Sequence, residues 1–66
     1  MNLYGKDLQV GDSIILHSVD GANLLKVTGI EQHPRKSNLL NLTLEGTKGN
    51  AVKTAVAVDQ EIWVLR

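Results

Sequence analysis

The stretch VGDSIILHSVDGANLLKVTGIE, residues 10–31, decides how the chain is read. Gly11 and Asp12 suit a turn, because glycine tolerates positive φ and aspartate hydrogen-bonds to its neighbouring backbone. The run SIILHSV, residues 13–19, is dense in β-branched side chains and stops at DGAN. There Asp20 and Gly21 form a hairpin signal between two apolar runs. The return strand is expected over LLKVTGIEQ, residues 24–32. Its interior Gly29 interrupts the alternation of Leu25 and Val27, so a bulge or sharp bend should bring Ile30 inward.

The same punctuation continues outward. Pro34 cannot donate to a central ladder, so the strand should end near His33. In LLNLTLE, residues 39–45, Leu40, Leu42 and Leu44 alternate with Asn41, Thr43 and Glu45, the period of a strand with one wet face. GTKGN is a further turn. AVKTAVAV, residues 51–58, sets Val52, Val56 and Val58 against Ala51, Lys53, Ala55 and Ala57. A break at DQE precedes a last strand, IWVLR, and a single helical turn around Asp59 is compatible with that break. Five short strands in one 66-residue domain predict an all-β fold: a small SH3-like barrel or a strongly bent antiparallel sheet.

Composition narrows the function. A chain this short removes only ~60% of its unfolded surface from water, so its core is small. With no phenylalanine, one tyrosine and one tryptophan, that core must be aliphatic. The absence of cysteine excludes disulfides and thiolate metal sites, and the two histidines have no zinc spacing; neither a metal nor another cofactor is expected. Seven basic and seven acidic residues cancel, which removes the long-range field of a typical nucleic-acid or membrane-surface binder. The start MNLYGKDLQVGD lacks the basic and apolar segments of a signal peptide, and no membrane contact is expected. The expectation is a cytoplasmic accessory protein of bacterial or phage type.

Residues 10–31 resemble the opening of small SH3-like barrels of the KOW type, in which an apolar strand follows a GD turn and a glycine-bearing hairpin leads to a second strand. The resemblance covers about a third of the chain. It implies RNA, ribosome or transcription-complex contacts, often through basic loops. This chain departs from the pattern, because its hairpin VDGAN is acidic and its net charge is zero.

No catalytic constellation stands out. GKDLQVGD and EGTKGN lack P-loop spacing, and His17, Ser18 and Asp20 are sequence neighbours whose alternation parts His17 from Ser18. The chain is therefore expected not to be an enzyme. The segment HPRKSN, residues 33–38, gathers His33, Arg35 and Lys36, to which Lys26 and Lys48 would add if the fold brought them near; together they form the candidate anion or nucleic-acid site. No aromatic residue interleaves there to stack a base, and a plain solvated loop is the simpler reading.

The first and last strands are apolar on both faces, unlike those of a small barrel with one wet side. If Ile14, Leu16, Ile62 and Val64 fill the core, then Ile15, His17, Trp63 and Leu65 face outward, joined by Ala55 and Ala57 in a protein interface. The competing expectation is a cover formed by Leu3 and Tyr4. Three functions follow. The first is a non-catalytic module that binds a protein partner or itself around Trp63. The others are a KOW-like nucleic-acid binder and a small-ligand binder with a pocket between protomers near His17 or His33.

Overall fold

The computed structural model describes residues 1–18 and 21–65. Six strands form one antiparallel sheet: β1 (Asn2–Tyr4), β2 (Ser13–Ser18), β3 (Gly21–Gln32), β4 (Leu39–Glu45), β5 (Ala51–Ala57) and β6 (Glu61–Leu65). Their spatial order is β1-β6-β2-β3-β4-β5. The all-β class holds, with six strands rather than five. The extra one is β1, which adds to β6 with Asn2 opposite Trp63 and Leu3 opposite Ile62.

The turn preceding β2 carries the GD signal. Asp12 N–H donates to the Gln9 carbonyl at 3.1 Å, and Gly11 has a φ of 101° that a side chain would strain. The Asp12 carboxylate reaches back to accept from Gln9 N–H at 2.8 Å. This turn docks on β3 through two bonds of 2.8 Å, Gly11 N–H to the Val27 carbonyl and Val27 N–H to the Asp12 carbonyl. Just beyond, the β3–β4 register shifts between Val27 and Gly29, so Thr28 is the extra residue of a bulge. The expected bend at Gly29 is present, and Ile30 then packs against the core.

The hairpin differs from expectation in extent. Ser18 pairs with Gly21, so the return strand begins at Gly21 instead of Leu24. Asp20, half of the expected turn signal, lies outside the described residues. The single helical turn falls at Gly5–Asp7, whereas residues 58–59 form a simple turn.

The inner face of the sheet buries Ile14, Val27, Leu42, Leu44 and Val64, with Leu8, Val56 and Ile62 around them. A single sheet can bury this set only by folding onto itself. Its ends meet where the Gly5–Asp7 turn reaches the end of β5: Gly5 N–H donates to the Gln60 carbonyl at 2.9 Å and Lys6 N–H to the Val58 carbonyl at 3.0 Å. The sheet is nevertheless not closed into a barrel, because among the described residues β5 forms a ladder only with β4. The outward N–H and carbonyl of Ala57 are taken by the Gln60 side chain and backbone, at 3.3 and 3.1 Å. The strongly bent sheet is thus the form observed.

Gly5 is required by this approach, since a Cβ there would collide with the Ala57 carbonyl. Gly5→Ala must push the two ends apart, at a cost of about 1–3 kcal/mol for forced overpacking. In a domain whose total stability is about 3–10 kcal/mol, thermal melting should fall by roughly 4–8 °C per kcal/mol lost. An unchanged melting temperature would show that the ends do not meet in this way.

Candidate interaction surface

The register of the sheet decides which outward side chains become neighbours. On the convex face Trp63 stands opposite Asn2 on one side and Ile15 on the other, and Ile15 stands opposite Leu24. Asn2, Trp63, Ile15 and Leu24 therefore form one row across β1, β6, β2 and β3. Leu65, opposite Ser13, extends it along β6. Trp63, Leu65 and Leu24 keep 45%, 47% and 45% of their surface exposed, and Ile15 is half-buried. Tyr4, opposite Glu61, flanks the row at 46% exposed, with the Lys6 ammonium 5.7 Å from its ring centre.

Beyond the Ile15–Trp63 pair the β2–β6 ladder ends, and a notch of about 400 Å³ opens between the strands, lined by Ile15, His17, Gln60, Glu61 and Trp63 among others. A second trough of about 650 Å³, lined in part by His17, Leu24, Lys48 and Val52, begins on the other side of His17. The convex apolar row is thus bordered by concave, partly polar ground.

Of the residues expected at the interface, Ile15, His17, Trp63 and Leu65 lie on this surface, as the core assignment of Ile14, Ile62 and Val64 requires. Leu16 is only partly buried at the edge of the core. Ala55 and Ala57 lie on β5, which pairs with β4 and not with β6, and Ala57 stands against Gly5, the residue after Tyr4. Ala55 lines a separate groove with Asn41, Thr43 and Lys53. The amino-terminal segment does not fold over Trp63: Leu3 turns to the core while Asn2 pairs beside the indole, which stays exposed. Leu24 and Tyr4 complete the surface and were not anticipated. Alternation gave a signal for Leu24, since inward Leu25 and Val27 leave Leu24 and Lys26 outward.

The basic residues do not converge. Arg35 and Lys36 lie before β4 and Lys48 after it, and seven residues of strand hold them roughly 20 Å apart. Lys26 sits opposite Ser13 and Glu45, at the far end of β4 from Arg35. The 33–38 loop is braced from within. His33 Nδ1 accepts from the N–H groups of Arg35 and Lys36, each at 3.1 Å, which requires that this nitrogen carry no proton. The Gln32 Nε2 group lies within 3.1–3.3 Å of the Lys36, Ser37 and Leu39 carbonyls. Asn38 accepts from Val58 N–H at 2.9 Å. His33 thus shapes a turn through Nδ1.

Among the described residues no group of three or more histidine, aspartate or glutamate side chains could hold a metal ion, and no helix is long and apolar enough to cross a membrane. No family model, curated protein or solved structure matches the chain.

His33→Ala removes the acceptor for two backbone donors in an exposed loop, where each bond contributes about 1 kcal/mol at most. Amide exchange at Arg35 and Lys36 should accelerate severalfold while the β4 amides keep their protection. Unchanged exchange at both amides would remove the bracing role of His33.

Proposed function

We propose that this protein is a non-catalytic interaction module that docks a protein partner on the convex face of β1, β6, β2 and β3, with Trp63 as the anchor. The observation that carries this reading is the 45% exposure of the chain's only tryptophan in a row with Ile15 and Leu24, beside Leu65. Contiguous exposed apolar surface is costly to a soluble domain, and a tryptophan amid aliphatic groups has the composition of an interface centre. The neighbouring notch offers a place for a partner side chain, and Glu61, His17 and Asn2 supply a polar rim. A second copy of the chain is one occupant this surface would accept.

The nucleic-acid reading draws less support from the geometry, since the basic side chains are divided between the two ends of β4.

Affinity capture with the full chain, wild type against Trp63→Ser and Val10→Ser, tests the proposal. Val10 is 64% exposed in the turn before β2 and controls for loss of an isolated exposed apolar side chain. Partners held by wild type and Val10→Ser should be lost with Trp63→Ser, with an affinity drop of tenfold or more for a central anchor. Equal capture by all three would end the assignment of Trp63 as anchor.

A further inference from the structure

On its side away from β4, β5 pairs with no other described strand. Within β5 the residues bonded to β4 are the even-numbered ones: Val58 N–H reaches the Asn38 carbonyl at one end and Gly46 N–H the Asn50 carbonyl at the other. Alternation then points the N–H and carbonyl groups of Ala51, Lys53, Ala55 and Ala57 to the open edge. Ala57 is served by Gln60. Lys53 and Ala55 keep four edge-facing backbone groups that no other described strand meets.

The strand that offers this edge reads AVKTAVA, residues 51–57, which is nearly the same in both directions about Thr54. Two copies placed antiparallel on a two-fold axis through Thr54 set Val52 opposite Val56, Lys53 opposite Ala55, and Thr54 opposite itself. The parity is correct: Lys53 and Ala55, both edge-facing, exchange their bonds, while Val52, Thr54 and Val56 fall at the non-bonded positions. The outward-facing Lys53 side chain lies over the small Ala55 of the other copy. An axis through Lys53 would instead oppose two like charges, which is unfavourable. A one-residue slip would face edge groups with groups already bonded to β4.

We infer that the chain self-associates as a two-fold dimer by antiparallel pairing of β5 over Val52–Val56, which continues the sheet from one protomer into the other. Such an isologous contact is the commonest form of self-assembly, and addition at a free edge relies on main-chain bonds rather than on an apolar face. The Trp63 surfaces lie on other strands and are left available.

Sedimentation equilibrium of the full chain across a concentration range, for wild type, Ala55→Glu, Ala55→Lys and Trp63→Ser, reads this directly. Ala55 is exposed, so either charge leaves the monomer folded, which circular dichroism would verify. Ala55→Glu places two symmetric carboxylates opposite Lys53 and should tighten the dimer by roughly tenfold; Ala55→Lys should weaken it by a similar factor. Trp63→Ser should leave the dimer unchanged. An isotope-filtered contact between the Val52 and Val56 Hα protons would confirm the register, because within one strand they are roughly 13 Å apart. A wild type that stays monomeric at millimolar concentration would overturn the inference. So would a dimer indifferent to the charge at position 55, or one dissolved by Trp63→Ser. Failure here leaves the Trp63 docking surface standing, since that is read from capture and not from self-association.

Discussion

A single sheet has nothing to pack against but itself, and every other feature of this chain follows from that constraint. Among the described residues there is no second layer of helix or sheet to cover Ile14, Leu42, Leu44 and Val64, so the sheet must curl until its own two ends meet. The curl is made by the bulge at Thr28, where the Asp12 turn docks, and is held where Gly5 comes against the Ala57 carbonyl. A side chain at Gly5 or a straight β3 would open the core to water.

The same curvature accounts for the polarity of the surface. Strands pressed inward on one face must present alternate residues outward, and β2 and β6 carry apolar residues on both faces. Leu8 and Leu3 help to close the interior, yet Trp63 and Leu24 at the two ends of the outward row stay exposed. Because β5 ends against the 3-10 turn instead of a strand, its remaining edge is also left open. The chain thus presents a convex apolar face and a free strand edge on different parts of one sheet.

Much of this was legible in the residues. Leu40, Leu42 and Leu44 announce β4, the GD turn announces β2, and Gly29 marks the bend to within one residue. The first strand was not legible, because Asn2, Leu3 and Tyr4 form a strand only through pairing with β6, a contact nearly 60 residues away in sequence. The strand neighbours of the alanine row were not legible for a related reason. Alternation tells which face a residue occupies but not which strand lies beside it, and β5 and β6 are consecutive in the chain without being neighbours in the sheet. The division of the basic residues needed only the length of β4. The turn role of His33 depended on two short backbone contacts that no composition reveals.

Site-specific photo-crosslinking in intact cells would probe the docking surface most directly. A photoreactive residue would be placed in turn at Leu65, at Leu24 and at Arg35, all exposed positions. A Trp63-centred contact predicts adducts of the same partner from positions 65 and 24, and none from 35. Adducts formed only from position 35 would contradict it and return the basic loop to the centre of the protein's function.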